Sequence, residues 1–235
     1  MKFIRKFLRI LKYRIKFLAK NNNAKINYFV QSRFLDKSLT DLMNYYGSDK
    51  GGLNKDHNFS DYYSTIFYDK KLSVKNLLEI GLGTNNTKIP SNMGLQGKPL
   101  ASLYAWKDYF PNANIYGADI LYETLFTDHR IQTFYCDQLD KKSIEKLWSN
   151  FNSVLFDVIL EDGLHTYEAN IHFFENSFHK LRNEGFYIIE DVLVSEIPKY
   201  ESYFKSCSIK FEKHQIVDLY NPGNKMDNVL IIIKK

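Results

Sequence analysis

The strongest constraint on this chain is an alternation that starts at Lys75. Apolar runs of strand length recur there as NLLEIG (76–81), NIYGADI (114–120), IQTFYC (131–136), LFDVILE (155–161) and GFYIIED (185–191). Segments of helical spacing lie between or after them, at about 100–110, 140–150, 167–182 and 195–205. Strands alternating with helices of this length read as βαβ units, which build a parallel sheet with helices on both faces. QIVDLY (215–220) and NVLIIIK (228–234) flank the turn-rich NPGNKMD, so the chain should close on a hairpin whose last strand runs antiparallel. The expected fold is α/β, a mostly parallel seven-stranded sheet with an antiparallel last strand. Upstream, a short helix is expected from Leu35 to Tyr46, followed by a Gly-, Asp-, His- and Tyr-rich segment from Tyr46 to Phe67 and another helical stretch.

Residues 1–35 contain ten Lys or Arg and no acid, whereas residues 36–235 carry 22 basic against 27 acidic residues. The body is therefore mildly acidic, which argues against nucleic acid as a partner. In residues 1–20, Phe3, Phe7, Leu11, Ile15 and Leu18 recur at helical spacing, with Lys2, Arg5, Arg9, Lys12 and Lys16 on the opposite side. This basic amphipathic helix suits peripheral contact with an anionic membrane surface, or packing on the body or on a second subunit of a homo-oligomer. Basic residues interrupt any signal-peptide core, and no run is long and apolar enough to span a bilayer, so a cytoplasmic location, at the inner face of the membrane if the arm binds lipid, is expected. NNNAK (21–25) reads as a helix stop and linker, dividing an arm (1–35) from a domain (36–235).

In open parallel sheets, ligands bind beyond the carboxyl ends of the strands. Each expected central strand delivers an acid to that edge: Glu79, Asp119, Asp137, Asp162 and the pair Glu190–Asp191. Glu79, Gly81 and Gly83 form a glycine turn where backbone can approach a nucleotide. The third glycine of the dinucleotide fingerprint is absent, since Thr84-Asn85-Asn86 follows, which weakens a pyrophosphate reading. Asp119 suits a ribose diol and Asp137 an adenine amino group. The set describes a pocket for an adenosine not joined to a diphosphate, and S-adenosylmethionine meets that description.

LLEIGLGTNN, the loop through SNMGLQGKP and ASLYAWKDYFPNANIYGADI resemble the class I S-adenosylmethionine-dependent methyltransferases. YGSDKG with His57 and Tyr63, CDQLD (136–140), EDGLHTYEANIHFFENSFHKL and GFYIIEDV are similar to one branch of that superfamily. The branch comprises macrolide-sugar O-methyltransferases, cephalosporin-hydroxylase-type proteins and polysaccharide-locus methyltransferases. The resemblance covers roughly 41–235 and implies a Rossmann-like methyltransferase fold. It implies cofactor contacts from Glu79, Gly81, Gly83, Ser102, Asp119 and Asp137, with His57 and Tyr63 near the cofactor or in a lid. It also implies Mg²⁺ on Asp162, Glu190 and Asp191, and His165, three residues after Asp162, as the base. Carboxylates converging on one point need a hard counter-cation, which agrees with that assignment. The implied reaction is methyl transfer to a hydroxyl of a small-molecule or glycan acceptor. A nicotinamide-dependent oxidoreductase, opposed by the missing glycine, and a non-catalytic membrane-recruited binding protein are the alternatives.

Overall fold

The computed structural model describes residues 38–52, 57–89 and 91–235. The basic arm, its expected amphipathic helix and the boundary at residue 36 lie outside the described residues. Among the described residues two helices, α1 (Ser38–Tyr46) and α2 (Phe59–Ile66), precede the sheet. The order is then β1 (Asn76–Ile80), α3 (Ala101–Tyr109), β2 (Asn114–Asp119), β3 (Thr127–Asp128), β4 (Ile131–Tyr135), α4 (Lys141–Ser149) and β5 (Phe156–Glu161). It continues with α5 (Tyr167–Ser177), β6 (Leu181–Ile189), α6 (Ile197–Ser206), β7 (Lys213–Asp218) and β8 (Val229–Lys234).

The strands form one sheet in the order β3-β4-β2-β1-β5-β6-β8-β7. From β4 to β6 all pairs are parallel; β8 runs antiparallel to both β6 and β7. The parallel body and antiparallel last strand are those expected, but the sheet has eight strands rather than seven. The addition, β3, is a two-residue edge piece folded back on β4. Both of its residues are exposed, so no apolar alternation marks it. α5 is shorter than its periodic segment: it ends at Ser177, a 3₁₀ turn covers Phe178–Lys180, and β6 starts at Leu181.

The sheet separates two cores, and side chains alternate between them with the period of a strand. Leu78 and Ile80 of β1, Ile159 of β5, Tyr187 and Ile189 of β6, and Ile231 and Ile233 of β8 join the core under α4, α5 and α6. Leu77, Val158, Leu160, Ile188, Leu230 and Ile232 join the core under α1, α2 and α3. Strands buried on both faces read as continuous apolar runs, which is why they stand out in the sequence. Local caps start the helices: Asp140 accepts from Lys142 N at α4, and Thr166 accepts from Ala169 N at α5.

β1 lies between β2 and β5, so the chain reverses its direction of winding at the carboxyl end of β1. A crevice opens where the flanking connections leave in opposite directions. Burial on the α5 face makes that frame rigid. Phe174 is fully buried and its ring meets Phe178, Tyr187 and Phe204 at centroid distances of 5.0, 5.1 and 5.4 Å. Phe174→Ala should lower unfolding free energy by about 3–5 kcal/mol, read from the urea midpoint at unchanged slope.

Candidate active site

A cleft of about 400 Å³ lies over the carboxyl ends of β1, β2, β4 and β5, within the usual range for a small-molecule site. Gly81 follows β1 with φ +86, and a Cβ there would sit 1.9 Å from the Asp162 carbonyl oxygen. The turn after β1 and the residue after β5 are thus in backbone contact, reinforced by Asp162 N donating to Ile80 O at 2.9 Å. No helix follows Gly83 directly; α3 begins only at Ala101, after a long loop.

The acids expected to line a nucleoside pocket differ in their surroundings. Asp119 is buried, accepting from Leu82 N at 2.7 Å and Leu121 N at 2.8 Å, one on each carboxylate oxygen. A carboxylate has about four lone-pair directions, so both oxygens can still accept from a ligand. Burial raises its pKa against the pull of those backbone donors. Asp137, half-buried, lines the cleft and accepts from Leu139 N at 2.9 Å. Glu79 is almost fully buried and accepts from Ser102 Oγ at 2.8 Å and Trp106 Nε1 at 2.9 Å. Ser102 is therefore spent on Glu79, and the pair forms part of the cleft floor. Burial pushes Glu79 up to about 7, opposed by Lys50.

The second cluster sits beyond β5 and β6. One ligand-type atom from each of Asp162, His165 and Asp191 lies within 4.8 Å of the others. His165 Nε2 is 3.1 Å from Asp162 Oδ1 and 3.4 Å from Asp191 Oδ2. His165 and Asp191 both have left-handed backbones, φ 58 and φ 52, which cost energy in non-glycine residues and collect at functional sites. Burial would lower the imidazole pKa, but the Asp162 hydrogen bond and the Asp191 charge carry it up to about 10. Asp162 moves the other way: against its burial, Lys50 and His165 hold it well below the carboxylate range. Burial takes Asp191 up to about 6. His57 stacks on Phe59 and places Nδ1 3.2 Å from Asp191 Oδ1.

Glu190 faces elsewhere. Its Oε1 accepts from the Tyr63 hydroxyl, and its Oε2 pairs with Lys50 Nζ at 2.5 Å. Tyr63 is fully buried against Trp106, so it reaches Glu190 from below rather than lining the cleft. Lys50 is a buried residue of the site that the sequence reading missed. It is only 3% exposed, and its ammonium also pairs with Asp162 Oδ2 and lies 3.5 Å from Glu79 Oε1. Burial alone would depress its pKa; the carboxylates of Asp162, Glu190 and Glu79 hold it well above the ordinary value. Its turn, Asp49–Gly51, packs so closely on α1 that a Cβ on Gly51 would meet Asn44 Oδ1 at 2.2 Å. Gln138 was also missed. Its side chain donates to Glu161 Oε1 and accepts from Leu164 N, both at 2.8 Å, joining the loop after β4 to the loop bearing Asp162 and His165.

The donor set fits a hard divalent cation. Glu79, Asp162, Glu190 and Asp191 crowd one sheet edge, and Lys50 is the lysine among them. Asp191 Oδ1 is buried and makes no well-formed hydrogen bond, although His57 Nδ1 lies 3.2 Å away, so a cation could share it with that imidazole. Oxygen-rich, carboxylate-dominated sites suit Mg²⁺.

No protein-family model matches the chain. Mycinamicin VI 2''-O-methyltransferase of Micromonospora griseorubida is 31% identical over 163 residues, covering 68% of this chain and 37% of that protein. L-olivosyl-oleandolide 3-O-methyltransferase of Streptomyces antibioticus is 33% identical over 159 residues, covering 66% and 37%. The solved structure of MycE methyltransferase from the mycinamycin biosynthetic pathway, in complex with Mg and SAH, superposes with a TM-score of 0.63 at 23% identity, over 84% of this chain and 54% of that one. The fold is that of the Rossmann-like, class I methyltransferases. Within that fold class, the chain is similar over about two thirds of its length to macrolide-sugar O-methyltransferases. It spans 37% of the length of these curated relatives.

The contact between Gly81 and Asp162 generates a test. Gly81→Ala forces both a left-handed alanine and a backbone collision, so stability should fall by at least about 1–3 kcal/mol in urea unfolding. An unchanged midpoint would mean that the two strand ends are not tied at this point.

Proposed function

We propose that the chain is an S-adenosylmethionine-dependent, Mg²⁺-assisted O-methyltransferase acting on a hydroxyl of a sugar, a surface polysaccharide or a glycosylated metabolite. One observation carries this reading: a cleft floored by Glu79, Asp119 and Asp137 opens directly onto the Asp162–His165–Asp191 cluster. A nucleoside-bearing donor and a cation-dependent acceptor site would thus share one space. The relatives named above are O-methyltransferases of mycinamicin VI and of L-olivosyl-oleandolide, which supports the class of acceptor. Among the described residues no helix is long and apolar enough to cross a membrane. Residues 1–20 would supply a basic face for peripheral contact outside the catalytic domain, 36–235.

In this reading Asp119 binds the ribose diol, Asp137 the adenine amino group, and the glycine turn lets the donor approach the backbone. His57 lies beside Asp191 at the mouth of the cluster, and Ser102 fixes Glu79 in the floor. Asp162 and Asp191 would hold the cation, with Glu190 the third carboxylate of the set. S-adenosylmethionine supplies an electrophilic methyl group when bound, and a divalent ion supplies charge that acidifies a nearby hydroxyl. His165 takes the acceptor proton at Nε2. Asp162 and Asp191 keep that imidazole protonated while their charges face it alone. Neutralising them removes the cause of the raised pKa and returns the ring towards its ordinary range, where it can act as a base at neutral pH. Holding donor and acceptor in one cleft supplies much of the remaining rate.

Asp119→Ala should weaken S-adenosylmethionine binding about tenfold or more, the loss expected for charge-assisted hydrogen bonds, measured by calorimetry on folded protein. An unchanged dissociation constant rejects the ribose assignment. His165→Ala should leave donor and Mn²⁺ affinity nearly intact while methyl transfer from labelled donor to a panel of glycosides falls by about 10²–10⁴-fold. If EDTA leaves wild-type turnover untouched, the metal reading of Asp162, Glu190 and Asp191 is wrong.

A further inference from the structure

Lys50 has no role in the reading above, yet it is the most completely buried cation described at the site. Its side chain is 3% exposed, and its ammonium sits among Asp162, Glu190 and Glu79. Burying a lysine is costly unless its charge is balanced, and burying carboxylates together is costly unless a cation lies among them. Lys50 answers both demands at once. It comes from a turn fixed to α1, while the carboxylates come from β1, β5 and β6, so the pairing also joins the N-terminal helices to the sheet edge. Tyr63 of α2 reaches the same Glu190 carboxylate from the same side of the sheet.

The two oxygens of Asp162 face different cations. Oδ1 faces His165 and the Asp191 cluster, whereas Oδ2 is held by Lys50. Glu190 is held by Lys50 and Tyr63, and the Glu190 carboxylate is outside the converging group formed by Asp162, His165 and Asp191. A divalent ion drawing on Asp162 and Glu190 would therefore meet an ammonium already using them. Glu79 Oε1, 3.5 Å from Nζ, gives that ammonium a partner on the cofactor side if it yields the other two.

We propose that Lys50 is the resident cation of this edge: it stands in for the divalent ion at Asp162 and Glu190 when the metal is absent and competes with it when present. The inference rests on the metal reading of the proposed function but concerns binding, not turnover. Lys50 is then a positioning residue, and its removal should strengthen metal binding while weakening the metal-free fold. A lysine with a purely structural role would show only the second effect.

The test uses the full chain and Mn²⁺ as probe, with free Mn²⁺ counted by electron paramagnetic resonance. K50M keeps the apolar stem and removes the charge. It should bind Mn²⁺ about tenfold more tightly than wild type or better, a coupling of ordinary size between two ligands of one site. Its metal-free melting temperature should fall, and Mg²⁺ should raise it by more than it raises that of wild type. Should K50M fail to fold without metal, E190Q and K50M/E190Q supply the comparison, because the double variant loses a cation and an anion together. Competition requires the double variant to bind Mn²⁺ more tightly than E190Q. Equal or weaker binding on removal of Lys50, in either pair, overturns the proposal. If every protein binds Mn²⁺ equally, only the role of Lys50 falls. If none binds it, the metal part of the functional reading falls as well, while donor binding, titrated on the same samples, reports separately on the cofactor half.

Discussion

Charge at one edge of the sheet governs this structure. Parallel strands deliver their carboxyl ends to the same side, and here those ends carry Glu79, Asp162 and Glu190 around one lysine, with Asp191 against His57 and His165. Carboxylates removed from water at such spacing repel one another and lose hydration, so the arrangement persists only with cations among them. Lys50, His165 and His57 provide that compensation, and a buried Asp191 oxygen that makes no hydrogen bond marks where it is weakest. Left-handed backbone at His165 and Asp191 adds strain at the same place, held by the double-sided core beneath.

The nucleoside side of the cleft is built differently. Asp119 and Asp137 are oriented by backbone N–H groups, of Leu82 and Leu121 for the first and of Leu139 for the second, while Glu79 is oriented by Ser102 and Trp106 from α3. The first pair belongs to the sheet edge itself, and the last depends on a helix that starts after a long loop. Glu79 is also within reach of Lys50, so the floor beneath a donor and the cluster facing an acceptor share one ammonium.

Much of the fold was legible because the strands are buried on both faces. Runs such as NLLEI and VLIIIK have no polar side to confuse their reading, and their ends came within a few residues of those observed. β3 was not legible, since a two-residue exposed strand is made by the turn at Arg130, φ 59, rather than by any pattern. The acids at the strand ends could be named because position along a strand places a residue at the edge. Their partners could not. That Ser102 would serve Glu79, or that Tyr63 would approach Glu190 from beneath, depends on helices packing across the sheet. Lys50 lay in plain view within YGSDKG, but lysine is so commonly solvated that sequence alone gives no sign of its burial. Only the glycine that brings its turn against Asn44 hints at a fixed position.

Gln138 has a further consequence. With one amide it grips Glu161 and the backbone of Leu164, so the loop that follows β4 is tied to the loop that carries His165. Diversification of such a protein is channelled accordingly. A lineage adapting to another acceptor has little freedom around His165, where any local adjustment is transmitted to the opposite wall. Its freedom lies in the link between β7 and β8, where Tyr220 and Met226 stand 67% and 71% exposed and Asp227 borders the cleft. The chemistry is inherited as a block, and novelty enters at the rim.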